Sequence, residues 1–407
     1  MKFRYLLAGG LILTALFMVT PVMAQDIVVG DYVTTEIRIG DAAAAMEYWT
    51  DERMKNALPY PMPSPDNPGF DLSPEGPFLN QADGEPGFSS PPGVLWPEDS
   101  GGSPGTAGPV GSEGSPGTKS LGASGLASLQ EPGDGGDTVD DPDLDYTWPF
   151  PFTMYEVHKH NNWQWPYTAI GRIFFTTASG SNSSCSGSSI GNRAVLTAGH
   201  CVSTGYGAWH RNFIYRPSYR QHEDGSITSK QIFWVSAPWT YTAWHSDHSY
   251  CRDVGFLITR DKSGGRTLQD IAGALRHAYN QDAEHLHWSQ FGYPAEETRT
   301  SPNYYFNGSR MYQNNASFAE FTASWWGATD CSPLPVCIGS MMTGGSSGGP
   351  VVYKWDSGMG IYPGTGSSLY ANGVNSTYFL SNRIAGGMCF PYFDTSVHNF
   401  ILDMWAQ

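Results

Sequence analysis

The chain has 407 residues, too many for one ordinary domain, and a net charge of −16. The acidity is local: residues 25–145 hold 22 acidic and four basic residues, whereas from Tyr146 onward each sign occurs 16 times. No basic stripe is present to meet phosphates, which argues against a nucleic-acid partner.

In chain order, "MKFR" is followed by an apolar run from Tyr5 to Val19 and by Val22-Met23-Ala24. A basic start, a short apolar run and small residues predict an export signal, 1–24, cleaved near Ala24. The competing reading, an uncleaved anchor, fits less well because the run is short for a membrane span. The mature protein is therefore expected outside the cell, or in the periplasm in transit, with no membrane attachment after signal removal. Residues 25–150 form an acidic segment, for which the resemblance described below implies a pro-region. Within it, "DIVVGDYVTTEIRI" predicts a strand pair, and "DAAAAMEYWTDERMKNAL" has helical composition. From about Pro59 to Asp145 the chain is rich in Gly, Pro and Ser, with "GSPGT" at 102–106 and again at 114–118. Such a stretch buries too little apolar surface to offset ordering entropy, so a flexible linker and a largely disordered pro-region are expected. Collagen is excluded, since glycine does not recur at every third position.

Beyond Tyr146 the texture changes. Short aromatic and β-branched runs such as "AIGRIFFTT", "AVLTA", "QIFWVSA", "VGFLIT", "FAEFTASWW" and "PVVYKW" alternate with Gly, Asn, Asp and Ser. That pattern predicts an all-β sandwich or barrel. A final helix is expected, because Val397, Phe400, Ile401 and Met404 share one face and Asp394 or Thr395 can cap it. All six cysteines (Cys185, Cys201, Cys251, Cys331, Cys337, Cys389) lie in this neutral half. An even count behind an export signal reads as disulfides. Zinc is the weaker reading, because there is no Cys-x-x-Cys pair. No metal or other cofactor is expected.

Two strings carry chemistry. In "CSGSSIGNRAVLTAGHCV" a His stands beside a Cys, after a strand, turn and strand. In "MMTGGSSGGPVV" two serines stand among glycines. A serine hydroxyl needs a base near neutral pH, and an imidazole suits the task if a carboxylate holds its tautomer. The carboxylate candidate is Asp253, because the apolar run directly after it would bury that end; Asp247 and Asp261 lead into no such run. Gly345, Ser347 and Gly349 also read as Gly-x-Ser-x-Gly. An α/β-hydrolase, however, needs Ser, acid and His in that order, and only His398 follows Ser347.

Taken together, "TAGHC", "DVGFL" and "GSSGGP" resemble the trypsin/chymotrypsin-like serine peptidases over roughly residues 160 to 405. The resemblance implies two six-stranded antiparallel β-barrels, 151–275 and 276–407, the second ending in the α-helix, with a cleft between them. It implies His200 as base, Asp253 as orienting acid and Ser347 as nucleophile, with the N–H groups of Gly345 and Ser347 as an oxyanion hole. A Cys185–Cys201 bridge would pin the turn carrying His200. "ANGVNSTY" resembles the strand lining the substrate cleft, which places Ser376 beside Asp253 and the backbone near Tyr378 against substrate. The remaining cysteines are expected to pair as Cys331–Cys337 and Cys251–Cys389.

Many family members carry an acid before the serine, paired with a newly cut N-terminus. Here that position is Ser346, so such a bridge is unavailable, and "IVVG" at 27–30 lies too far upstream to supply the N-terminus. The neutral residue after "TGG" is similar to the bacterial glutamyl endopeptidase branch, which implies a pro-region that aids folding or inhibits and is removed by proteolysis. The alternative is a permanent interaction stalk. Met341 falls where trypsin-like members place an acid, and Asn375 where glutamate-specific members place a His. With Met341 and Met342 apolar and adaptable, uncharged substrate residues are expected, with glutamate second. The expected partners are a protein or peptide substrate and the chain's own pro-region, and the protein is expected to act as a monomer. The alternative function is a catalytically silent binding module on the same scaffold.

Overall fold

The computed structural model describes residues 25–62, 84–92, 152–283, 286–295, 306–321, 331–353, 369–379 and 387–407, with the side chains of 318–321 and 379 left aside. The expected export signal, most of the Gly/Pro/Ser-rich stretch and much of "FAEFTASWW" lie outside these residues. Among the described residues no helix is long and apolar enough to cross a membrane.

Before the barrels come β1 (Ile27–Val29), β2 (Tyr32–Thr34), α1 (Ile39–Tyr48), α2 (Asp51–Lys55), β3 (Leu58–Pro59) and β4 (Gly87–Ser89), followed by β5 (Phe152–Glu156). The first barrel is built from β6 (Ile170–Thr176), β7 (Asn182–Gly191), β8 (Ala194–Thr197) and β9 (Arg211–Pro217). A small hairpin of β10 (Arg220–Gln221) and β11 (Ile227–Thr228) leads to β12 (Phe233–Tyr241), α3 (Thr242–Asp247) and β13 (Gly255–Thr259). The strands close in the order β6-β7-β8-β13-β12-β9 and back to β6. After α4 (Leu268–Ala272) and β14 (Arg276–Tyr279), the second barrel uses β15 (His287–Gly292), β16 (Tyr312–Phe321), β17 (Val336–Gly339), β18 (Pro350–Tyr353), β19 (Tyr370–Val374), β20 (Thr377–Phe379) and β21 (Gly387–Phe390). Its order, β15-β16-β17-β21-β20/β19-β18 and back to β15, repeats that of the first barrel. The fifth strand comes in two pieces, β19 and β20, broken at Asn375 and Ser376. Alternation of apolar and small polar residues serves both barrels, since one face of each strand fills the interior.

Chain ends lock the barrels together. Strand β5 pairs with β16 of the second barrel, although the chain then runs directly into the first. In the other direction α5 (Thr395–Trp405) leaves the second barrel and packs on the first. Asp394 caps it by accepting from the Val397 N–H, and Val397, Phe400, Ile401 and Met404 are buried, as the spacing predicts. Phe400 meets Phe256 and also stacks on Tyr32 of the amino-terminal segment.

That segment is folded. The expected strand pair is the β1–β2 hairpin, and β2 extends the first barrel's sheet along β12. Ile27–Val29 forms the exposed outer strand, so "IVVG" inserts nowhere. The expected helix is split into α1 and α2 by Trp49 and Thr50; Thr50 caps α2 and Trp49 drops into the barrel core, its Nε1–H donating to the Asn212 carbonyl. The composition-based reading of the linker fails at Gly87–Ser89. This strand pairs with β14, because one aromatic, Phe88, packs on Tyr370 while the backbone finds a free sheet edge.

The cysteine pairing needs correction in two of three bridges. Cys185–Cys201 is present as expected, but the others are Cys251–Cys331 and Cys337–Cys389. Cys337 and Cys389 are register partners on β17 and β21, with Cα atoms 4.1 Å apart. Cys337 is therefore committed across the sheet and cannot close the short loop to Cys331. Cys331 instead reaches the turn Tyr250–Arg252 of the first barrel, adding a covalent tie between barrels.

Non-reducing peptide maps are therefore expected to recover Cys251 joined to Cys331. Replacing both by alanine is expected to lower stability in urea titrations by about 2–5 kcal/mol.

Candidate active site

The strand register brings His200 and Asp253 together. Thr197, the last residue of β8, pairs with Gly255, the first of β13. Antiparallel pairing sets the turn after β8 beside the turn before β13. His200 sits in the first of these, Gly199–Cys201, and Asp253 ends the second, Tyr250–Arg252. Both side chains are buried. One oxygen of Asp253 accepts the His200 backbone N–H at 2.7 Å, and the other accepts His200 Nδ1–H at 2.7 Å. A carboxylate is acceptor-only, so this contact fixes the proton on Nδ1 and leaves Nε2 with its lone pair. Ser376, at the break between β19 and β20, donates to the same Asp253 oxygen at 2.5 Å. The second barrel thus contributes the carboxylate's third bond.

Ser347 precedes β18, and its loop is clamped onto the first barrel. The Ser186 N–H donates to the Ser347 carbonyl and Ser186 Oγ–H to the Gly345 carbonyl, both at 2.8 Å. Two glycines are required by shape. Gly345 has φ +92°, and a Cβ there would lie 2.7 Å from the Tyr293 carbonyl. Gly348 has φ +76°, and a Cβ would strike Thr197 Oγ1 and the Ser186 carbonyl. Ser346 turns away from Ser347: its Oγ–H and its N–H both reach the Thr343 carbonyl, at 2.7 and 3.0 Å. Ser347 Oγ and His200 Nε2 are both buried and have no hydrogen-bond partner among the described residues. The backbone N–H groups of Gly345 and Ser347 likewise donate to no described residue.

The residues expected to meet substrate divide. Met341 and Met342 line an apolar cluster with Met154, Met388, Phe306 and Tyr312, with Tyr378 packed against it. Asn375 does something else. Its Nδ2 donates to the carbonyls of Phe291 in β15 and Ser346 in the serine loop, at 3.0 and 3.2 Å, while its Oδ1 is buried with no hydrogen-bond partner among the described residues.

Three contributors escaped the sequence. His210 stands behind the site; the Ala178 N–H donates to its Nδ1, so its Nε2–H donates to the His200 carbonyl at 3.1 Å. Burial depresses its pKa to about 3, keeping it neutral. Tyr60 lies over the His200 ring, with centroids 6.0 Å apart and planes 18° from parallel. Met62 belongs to the Met341–Met342 cluster. For none of these does local pattern give a signal; a lone His or Tyr near a strand end is usually structural.

The trypsin family model, "Trypsin", matches residues 156–379, more than half of the chain, and the protein belongs to that family of serine proteases. Among solved structures, the protease Anisep from Arthrobacter nicotinovorans is 30% identical, covering 60% of this chain and 98% of its own, with a TM-score of 0.47. A thermostable serine protease, AL20, from an extremophilic microorganism is 28% identical, with coverages of 57% and 94% and a TM-score of 0.45. A Glu endopeptidase is 15% identical, with coverages of 62% and 97% and a TM-score of 0.44. No curated protein sequence matches the chain.

His210 and His277 both have pKa values held down to about 3 by burial, the latter with His398 beside it. The unfolded chain binds these protons below about pH 6.5, while the folded chain refuses them until about pH 3. The stability they contribute is full above pH 6.5 and is lost as the pH falls through that window, by up to about 1.4 kcal/mol per unit for each. Urea titrations at pH 7 and pH 5 are expected to show this loss, and His210→Gln, which keeps a donor and an acceptor, should reduce the slope.

Proposed function

We propose that the protein is a secreted serine endopeptidase, made as a precursor. In this reading Ser347 Oγ attacks the scissile carbonyl while His200 Nε2 removes its proton. Asp253 holds the imidazole and stabilises the imidazolium. The Gly345 and Ser347 N–H groups receive the oxyanion, where charge develops only on the way to the tetrahedral intermediate. His200 then returns the proton to the leaving amine, and water releases the acyl group by the same steps. The supporting observation is the buried carboxylate of Asp253 bonded to His200 and Ser376 across the two barrels, with His200 Nε2 and Ser347 Oγ left without a partner among the described residues. An unsatisfied buried group is costly and draws attention to function. Membership of the trypsin family supports the same chemistry.

The precursor reading rests on the sequence: a signal ending near Ala24, an acidic segment to about residue 150, and the charge break near Asp145. A cut within roughly residues 140–165 would release a near-neutral peptidase. The apolar cluster around Met341 and Met342 favours an uncharged substrate side chain over a charged one, because a charge there would find no partner.

A fluorescent serine-reactive phosphonate is expected to label the processed protein at Ser347, which a silent binding module would not show. Ser347→Ala should lower turnover by roughly 10⁶-fold, while Ser346→Ala keeps most activity, its side chain being engaged with Thr343. The reverse pattern would place the nucleophile one residue earlier.

A further inference from the structure

Resting on the reading of His200 and Ser347 as the catalytic pair, we infer that residues Leu58–Met62 are an intramolecular occupant of the substrate cleft. Tyr60 lies against the proposed base, and Met62 packs into the apolar Met341–Met342 cluster in place of a substrate side chain.

Four observations carry this. First, the segment is bound as a strand beside the site. Leu58 and Pro59 pair in parallel with Ser183 and Ser184 of β7, and the Tyr60 N–H donates to the Ser184 carbonyl at 3.0 Å. Ser184 is the neighbour of Cys185, whose disulfide partner Cys201 follows His200. Second, the Tyr60 ring lies flat over His200 and is flanked by Phe175 and His210, at centroid distances of 5.5 and 4.9 Å. Third, Met62 is 4% exposed and clusters with Met341 and Met342, the residues placed at the substrate recess by sequence. With these groups in place, neither Ser347 nor His200 presents appreciable surface to solvent. Fourth, the segment is anchored upstream. Trp49 is buried in the first barrel, Tyr48 Oη–H donates to Asn182 at 2.8 Å, and Arg216 contacts both Met54 Sδ and Asp51.

The sequence "LPYPMP" suits an occupant that must resist the enzyme it covers. Prolines at 59, 61 and 63 alternate with Leu58, Tyr60 and Met62. Each fixes its own φ and disfavours the helical region for the residue before it, so the segment is largely extended before it docks. The bonds after Tyr60 and Met62 are both X–Pro, whose nitrogen carries a ring carbon in place of a proton. The occupant therefore offers its two inserted side chains next to the bonds least suited to attack. Tethering makes the occupancy intramolecular, so it persists until the chain is cut.

The test uses the full chain and two probes. Diethyl pyrocarbonate modification, mapped by mass spectrometry, reads access to His200, with exposed His158 and His160 as references and buried His277 as a check on folding. Phosphonate labelling reads Ser347. In the unsubstituted full chain both residues should react slowly. Tyr60→Gly combined with Met62→Gly should raise both rates at least tenfold while His277 stays protected. If that protein fails the His277 check, Met62→Asp alone, which sets a carboxylate against the methionine cluster, provides the second variant. A full chain whose His200 and Ser347 already react as fast as in the variant overturns the occupant and leaves the catalytic reading standing. Unmasking of His200 in the variant, with no phosphonate labelling in any form including the processed protein, does the opposite.

Discussion

The Asp253 carboxylate is the constraint on which the site depends. It is fully buried, and an ionised carboxylate removed from water costs several kcal/mol unless its lone pairs are met. Three donors meet them, two from His200 and one from Ser376. Two of these come from the turn after β8 and one from the opposite barrel, so the carboxylate is satisfied only when the barrels are docked in this register. The same bonds fix the imidazole. Docking of the barrels, satisfaction of the charge and selection of the tautomer are therefore one event.

The serine loop obeys a parallel logic. It belongs to the second barrel by chain, and Gly345 fits closely against Tyr293 of that barrel, but Ser186 and the missing side chain at Gly348 seat it on the first. Strand β5, helix α5 and the Cys251–Cys331 bridge each carry one barrel's chain onto the other. A cleft between two independently closed barrels would otherwise be free to open, since interfaces within a chain default to relative motion.

The range of an interaction along the chain decides whether the sequence reveals it. The environments of His200, Asp253 and Ser347 are legible because each sits in a short string whose neighbours serve it locally: the Cys next to the histidine, the buried strand after the aspartate, the glycines around the serine. The terminal helix and the amino-terminal hairpin are legible for the same reason, through periodicity and caps. The cysteine pairing is not, because Cys337 finds Cys389 through sheet register, 52 residues away, and spacing along the chain says nothing of register. The bonds of Asn375 are hidden in the sequence for a related reason. Its position suggests a ligand contact, but its donors are claimed by the Phe291 and Ser346 carbonyls, which approach only in the folded barrel. Tyr60 and Met62 lie in composition that reads as linker, and only β7 gives the backbone there a partner.

The uncharged residue before Ser347, the proposed nucleophile, fits control by access. An acid at that position would need a cation to settle the loop, and a new N-terminus is one source. Ser346 needs none: its hydroxyl and its N–H both bond to the Thr343 carbonyl within the same turn. Its own carbonyl accepts from Asn375 and from the Gly349 N–H. The loop is thus held by neutral hydrogen bonds before any cut is made. If the shape of the site is already set in the precursor, control must act on access rather than on geometry. The proposed occupants, Tyr60 beside His200 and Met62 in the methionine cluster, are a means of doing so, since both can leave without disturbing a single bond of the Asp253 network. The chemistry of one side chain, the absence of charge at 346, thereby separates two tasks that a salt-bridged loop would combine: building the site and opening it.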